Sequence, residues 1–217
     1  ELSQIFEIVL REVMTKSIPE TDGKPDIANF LSMLEKYDVV LFGPGLGVTD
    51  YTAGILEELL VKLPQKLIID ADGLNILAKT PHLLNQLAYR DILLTPHVGE
   101  FSRLSGLSID TIEMDTMKAL ADFIKKYKTK VLLKSAVTIY ADEAHHYFNT
   151  TGNDGLSTGG SGDVLAGIIV SFVGQGLPLE HAGISASWLL GITAEKLALE
   201  KGTPAITPTD VIARLFS

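Results

Sequence analysis

Val39-Val40-Leu41-Phe42-Gly43-Pro44-Gly45-Leu46-Gly47 is a short apolar run that stops at a glycine-rich turn, and the same arrangement recurs down the chain. Leu67–Ile69, Ile92–Leu94 and Val131–Leu133 are equally brief and apolar, and each is followed by polar or turn residues. Their starts lie roughly 25–40 residues apart, room for a crossover helix at every step, so they read as parallel strands of a βαβ series and not as an antiparallel meander. Between them, Tyr51–Leu63 and Thr111–Tyr127 place apolar residues at three- and four-residue spacing with charge opposite, the pattern of amphipathic helices. The expected fold is α/β: a mostly parallel central sheet covered by helices on both faces.

Composition sets the outer limits. The 217 residues are 46% hydrophobic, with no cysteine and a formal net charge of −9. A chain of this length buries roughly 70% of its unfolded surface without help from disulfides or a structural metal. Lack of cysteine excludes thiolate zinc sites, iron–sulfur clusters and thiol nucleophiles, and it fits a reducing, cytoplasmic setting. Net acidity argues against a nucleic-acid-binding face, so any phosphate must be held locally. No apolar run reaches the ~20 residues of a membrane span, and the first thirty residues lack a signal-peptide profile.

Past Lys134 the texture changes. Thr138–Tyr140 and His146–Phe148 flank a polar turn and read as a hairpin, and a glycine-rich loop follows at Thr150–Gly162. Asp163–Val173 is apolar on nearly every side and belongs inside the core, while Leu179–Glu200 is a longer helix stopped by Gly202 and Pro204. Among residues 1–38, Ile5–Met14 suits a helix and Ser17–Asp26 a loop. No glycine-rich strand and turn opens the sheet, so the reading is one catalytic domain over 1–217 that lacks an N-terminal strand–turn–helix segment.

The chemistry concentrates in the turns. Asn153-Asp154-Gly155-Leu156-Ser157-Thr158-Gly159-Gly160-Ser161-Gly162-Asp163 stands directly before a helix. Glycines let N–H groups converge there, and the helix start adds about half a positive charge, which makes an anion cradle of Asn153 and Gly159, Gly160, Ser161 and Gly162. An acid beside a phosphate cradle is repulsive unless it has a task, and Asp163 reads either as a general base or as a plain helix cap. Walker A, dinucleotide and nucleophile-elbow patterns all fail on this stretch. Gly45 and Gly47 permit close backbone approach at a strand end. Asp72 and Asn75, in Ile69-Asp70-Ala71-Asp72-Gly73-Leu74-Asn75, suit ribose hydroxyls, a hydrated cation, or ordinary turn chemistry. His97 could hydrogen-bond a phosphate or serve structure, and Glu100 could cap a helix or orient hydrated Mg²⁺. Lys134, followed by Ser135–Thr138, can reach phosphate or snorkel to solvent. His82, His145, His146 and His181 read as surface or packing residues. On one parallel sheet these turns share one rim.

Taken together, GPGLG at 43–47, DADGLN at 70–75, TPHVGE at 95–100, LK at 133–134 and GNDGLSTGGSGDVLAGII at 152–169 resemble the ADP-dependent NAD(P)H-hydrate dehydratases of the ribokinase-like superfamily. The resemblance implies a carbon–oxygen lyase of metabolite repair. Such an enzyme uses ADP, with Mg²⁺, to phosphorylate the ring hydroxyl of hydrated NADH or NADPH, then expels phosphate to restore the reduced dinucleotide. It implies an adenylate site at Lys134, Ser135, Ala136, Val137, Thr138 and Gly162, and a hydrate site at Gly45 or Gly47, His97 and Asp163, with Asp163 the base. A homo-oligomer, with a tetramer as one form, and functional coupling to an NAD(P)H-hydrate epimerase are further implications. Val98 and Ser135 stand where the family usually has Pro and Gly. A kinase of the same superfamily acting on a hydroxymethylpyrimidine, hydroxyethylthiazole or sugar, and a catalytically silent nucleotide binder, are the alternatives.

Overall fold

The computed structural model describes Ile5, Ile8 and residues 12–21, 24–63, 65–88 and 90–216. The chain forms two compact units, Glu1–Lys36 and Tyr37–Ser217. In the first, β1 (Glu20–Thr21) and β2 (Lys24–Pro25) pair antiparallel, and α1 (Ile27–Leu34) follows, capped by Asp26, whose carboxylate accepts from the Asn29 N–H at 3.1 Å. The loop expected at Ser17–Asp26 therefore contains a minimal hairpin. Of the helix expected at Ile5–Met14, Ile5 and Ile8 are helical, Val13 and Met14 have no regular structure, and most of the rest lies outside the described residues.

The second unit is built on a six-stranded sheet in the order β3 (Val39–Phe42), β4 (Lys66–Ile69), β5 (Ile92–Leu94), β6 (Lys130–Leu133), β7 (Thr138–Ala141), β8 (His146–Asn149). The pairings β3–β4, β4–β5 and β5–β6 are parallel, and the hairpin strands add antiparallel. Strands joined in simple sequential order by right-handed crossovers send all their crossover helices to one face. Those helices are α2 (Asp50–Lys62), α3 (Asp72–Lys79), α4 (Pro81–Leu84), α5 (Val98–Ser105), α6 (Ile109–Met114) and α7 (Thr116–Tyr127). The opposite face receives α8 (Ser161–Gly174) and α9 (Leu179–Lys201), whose Leu165, Ile169, Ala182 and Ala186 share a buried cluster with Ile68, Leu93, Leu132 and Tyr140 of the strands. A last helix, α10 (Pro208–Arg214), starts on a Thr207–Asp210 capping box.

Two helical expectations change. Thr111–Tyr127 is two helices, because Asp115 leaves helical geometry (φ −151°, ψ 75°) and its carboxylate accepts from the Lys118 N–H at 3.0 Å, capping α7. Aspartate competes well for that role, and an apolar period running through it does not reveal the break. Helix α8 is not enclosed on all sides either: Val164, Leu165, Ala166, Ile168, Ile169 and Val173 are buried, but Asp163, Gly167 and Ser171, four residues apart, form an exposed stripe. In the hairpin turn, burial pushes the Asp142 carboxyl up, but the N–H groups of Ala144 and His145 and the Tyr140 hydroxyl more than offset it and hold the group below the ordinary carboxylate range. Among the described residues no helix is long and apolar enough to cross a membrane.

Candidate functional site

Parallel pairing brings the carboxyl ends of β3, β4, β5 and β6 to one rim, and the ladder runs on past the strands. Asp70 N–H donates to Phe42 O at 3.1 Å, Thr95 N–H to Ile69 O at 3.1 Å, and Lys134 N–H to Pro96 O at 2.7 Å. The turns that carry polar groups are thus stitched to each other by backbone. At Gly43, φ is +131° and a Cβ would lie 1.8 Å from Asp70 O, so only glycine lets the first two turns close together. Next to it Ala71 holds φ +49°, a left-handed conformation that costs a non-glycine residue of the order of 1 kcal/mol or more and clusters at functional sites.

A cavity of about 690 Å³ opens between the end of β6, the 149–162 loop and the start of α8. Of the residues expected to hold nucleotide, Lys134, Ser135, Ala136, Thr138, Asn153, Ser161 and Gly162 line it. Val137 and Gly159 are exposed and do not, and Gly160 shapes the cradle from behind as the α8 N-cap, with φ +95°. Ser161 is 7% exposed and its hydroxyl is buried without a hydrogen-bond partner among the described residues. The residue lines the cavity at the helix start, where N–H groups and the helix dipole favour an anion. Lys134 Nζ lies 3.4 Å from where a Cβ on Gly162 would stand, so the glycine keeps room for the ammonium. That ammonium also binds Asp70 Oδ1 at 2.8 Å, and the Asp70 side chain is 2% exposed. Ser135 does not adopt a positive φ, and its hydroxyl donates to Val137 O at 2.6 Å, so this turn forms without the family's usual glycine.

Gly160→Val is expected to weaken nucleotide binding by at least about tenfold. The new Cβ would stand 3.1 Å from Pro208 Cγ on a backbone that side chains avoid, so the loop must turn and take its N–H groups with it, at roughly 1–2 kcal/mol. Calorimetry with ADP checks this, and wild-type affinity would remove the cradle from the site.

The expected acceptor side lies along the same rim. Gly47 N–H donates to Asp72 Oδ2 at 2.8 Å, joining two of the residues singled out from sequence, and Thr52 Oγ1 donates to Gly47 O at 2.8 Å. Both Gly45 and Gly47 have positive φ, and a Cβ at either would meet no atom within 4 Å, so the turn faces open space. His97 is the N-cap of α5: its Nδ1 accepts from the N–H of Gly99 at 3.0 Å and of Glu100 at 3.3 Å. This assigns the proton of the neutral ring to Nε2, on an imidazole that is half exposed and lines the cavity. Glu100 is buried and returns the bond, its Oε2 accepting from His97 N–H at 2.8 Å, while Oε1 lies 3.6 Å from His97 Nε2. Val98 occupies the first helical position, where proline is favoured but not needed.

Asp163 stands in the first turn of α8, exposed, with no hydrogen-bond or ion-pair partner among the described residues. Gly160 is the cap, so the aspartate is not. It is not among the residues that line the nucleotide cavity, although the adjoining Gly162 is, and it borders a second cavity with Gly167, Ser171 and Phe172. Sequence reading missed Asp70 as an ion-pair partner, and it missed Arg103, whose Nε donates to Asn75 Oδ1 at 2.9 Å and which pairs with no acid among the described residues. It also missed Asn149, whose Nδ2 donates to Ser187 O at 3.0 Å, and Gly191, where a Cβ would stand 2.2 Å from Thr151 Oγ1. These contacts seal the cavity wall against α9 and carry no local sequence signature.

Fold and rim together define a ribokinase-like protein. A ribokinase-like superfamily protein of known structure from Enterococcus faecalis aligns with 87% of this chain and 64% of its own at TM-score 0.75, with 30% identity. More narrowly, residues 3–216 match the NAD(P)H-hydrate dehydratase family, and the chain belongs to it. The bifunctional NAD(P)H-hydrate repair enzyme Nnr of Moorella thermoacetica is 35% identical over 213 residues, which is 96% of this chain and 40% of that protein. The ADP/ATP-dependent NAD(P)H-hydrate dehydratase of Bacillus subtilis, co-crystallised with ATP/Mg²⁺, aligns at TM-score 0.70 and 26% identity over 84% of this chain and 65% of its own. The chain therefore spans less than two-thirds of the length of these relatives.

Proposed function

We propose that this chain is the catalytic domain of an ADP-dependent (S)-NAD(P)H-hydrate dehydratase, acting on hydrated NADH and NADPH. The observation that carries this reading is the glycine-bordered start of α8, where Ser161 and Gly162 line the same cavity as Lys134 and stand just before an aspartate with no partner among the described residues. Phosphoryl transfer asks for placement and charge neutralisation, which converging N–H groups, a helix start and an ammonium supply.

Lys134 and the Gly160–Gly162 amides hold the diphosphate of ADP, with Ser135, Ala136, Val137, Thr138, Asn153 and Gly159 around the adenylate. Gly45, Gly47, Asp72, Asn75 and His97 place the hydrated nicotinamide, and the Arg103 guanidinium meets a dinucleotide phosphate. The Asp163 carboxylate takes the hydroxyl proton as that oxygen bonds to the β-phosphorus and the bond to AMP breaks. The ring nitrogen then drives out phosphate with the C–O electron pair, and loss of a proton from the neighbouring carbon restores the dihydropyridine, a step that belongs to the substrate. Mg²⁺ needs only one or two protein carboxylates beside phosphates and water, and Glu100, whose Oε1 would exchange its 3.6 Å contact with His97 Nε2 for a hydrated ion, would supply one. When bound, it neutralises charge on the phosphoryl oxygens, with Glu100 holding it through water. Cytoplasmic residence, a homo-oligomeric assembly and coupling to an epimerase go with this reading, and the repair enzyme of Moorella thermoacetica is bifunctional.

Incubation of the chain with hydrated NADPH and ADP tests it. Recovery of reduced-nicotinamide absorbance with AMP and orthophosphate in equal amounts is expected. A stable phosphorylated product, or none, overturns the reading.

A further inference from the structure

The turn between β7 and β8 carries a cluster that the nucleotide site does not use. His145 Nδ1 lies 3.8 Å from Asp142 Oδ1 and 3.7 Å from Glu180 Oε1, and one donor atom of each residue falls within 4.8 Å of the others. Among the described residues no other group of three acids and histidines converges in this way. We propose that Asp142, His145 and Glu180 form a binding site for a divalent transition-metal ion, which ties the β7–β8 turn to the first turn of α9.

The spacing fits. Ligands of a tetrahedral zinc at about 2.0–2.1 Å are ~3.3 Å from one another, so closure needs about half an ångström from each carboxylate to the imidazole and at most ~1.5 Å between the two carboxylates, within the swing of Glu180 and the imidazole. Donor chemistry narrows the ion: one imidazole nitrogen with two carboxylate oxygens suits Zn²⁺ or Co²⁺ better than Mg²⁺ or Ca²⁺, which favour all-oxygen sets. Three protein ligands leave a position for water. Asp142 is held in place: its Oδ1 accepts from the N–H of Ala144 at 2.7 Å and of His145 at 2.8 Å, and its Oδ2 from the hydroxyl of the buried Tyr140 at 2.9 Å, which leaves its open acceptor position for an ion on Oδ2. Outer hydrogen bonds of this kind orient metal ligands. Charge points the same way, since no Lys or Arg pairs with Asp142 or Glu180 among the described residues. Two carboxylates meeting at one imidazole are left to repel unless a cation joins them.

The ligands come from the turn of the β7–β8 hairpin and from α9, which also wall the nucleotide cavity: the hairpin strands contribute Thr138 and Asn149, α9 contributes Ser187 and Leu190. A bound ion would cross-link those walls from outside the cavity, whatever reaction takes place within it.

Zn²⁺ titrated into the metal-free full chain by calorimetry at about pH 8, where an unperturbed histidine is neutral, provides the test. One ion per chain, micromolar or tighter, with a raised Tm is expected. His145→Ala and Glu180→Gln should each weaken binding by at least about tenfold, and Co²⁺ should give visible absorption in the wild type and none in His145→Ala. His145 is half exposed, so its loss should leave the metal-free Tm unchanged. A His97→Asn control, which removes a histidine–glutamate pair elsewhere on the chain, should retain the ion. Absence of saturable binding, survival of it in both cluster variants, or loss of it in His97→Asn overturns the site. A Tm that falls as pH rises through the histidine range, with no response to Zn²⁺, would make the cluster an ion-paired imidazolium and overturn it equally.

Discussion

Asp163→Asn is expected to lower turnover by ~10²–10⁴-fold, the span associated with loss of a general base, while ADP affinity stays within about twofold of wild type. Two features of α8 separate those effects. The carboxylate is on the exposed stripe of the helix, one residue beyond the cavity-lining Gly162 and not itself part of the lining, so its removal leaves the diphosphate contacts in place. Nor is it the cap, which is Gly160, so asparagine removes a charge near the helix start and leaves the helix geometry alone, with a stability change of about 0.3–1 kcal/mol. An acid held beside a phosphate cradle with no ion-pair partner is poorly explained by packing. Single-turnover release of AMP with calorimetric ADP binding reads both quantities. Unchanged turnover would leave the exposed acid as a charge at a helix start and nothing more.

The sheet was legible because β4, β5 and β6 are buried on both faces and β3 is at least half-buried, and such parallel strands write themselves as short apolar runs. Val39–Phe42 is reproduced residue for residue, and Leu67–Ile69 and Val131–Leu133 each gain only a preceding lysine, Lys66 and Lys130. From parallel pairing the common rim follows directly, and Gly47 meets Asp72 there as chain direction requires. Contacts made across the fold were not legible. Asp70 and Lys134 are 64 residues apart and skip β5 between them, so neither looks unusual in its own turn. Asp115 hides a helix break inside an unbroken apolar period, and the stripe of Asp163, Gly167 and Ser171 is masked by the apolar residues between them. His145 lacked a partner in sequence because Glu180 arrives from another element. A histidine met alone in a turn offers no way to foresee that.

The Asp70–Lys134 pair sets the second large effect. Lys134→Met is expected to destabilise the domain by about 3–5 kcal/mol, because it strands a carboxylate that is almost wholly buried and whose one side-chain partner among the described residues is that ammonium. Asp70→Asn should cost less: the lysine is 20% exposed and can turn its head to water. Combining the two changes should bring stability back towards wild type, since a neutral amide beside a thioether leaves no buried charge unbalanced, and the coupling term of the cycle should exceed about 1 kcal/mol. Nucleotide affinity should not follow stability. Lys134→Met and the double variant should both bind ADP poorly, as each lacks the cation facing Gly162, whereas Asp70→Asn should bind at least as well as wild type because its ammonium no longer shares its charge with an acid. Urea unfolding and ADP calorimetry on the four proteins separate the two roles. If the double variant is as unstable as Lys134→Met, the buried carboxylate is not what the lysine protects; if it binds ADP normally, the lysine belongs to the fold and not to the phosphate site.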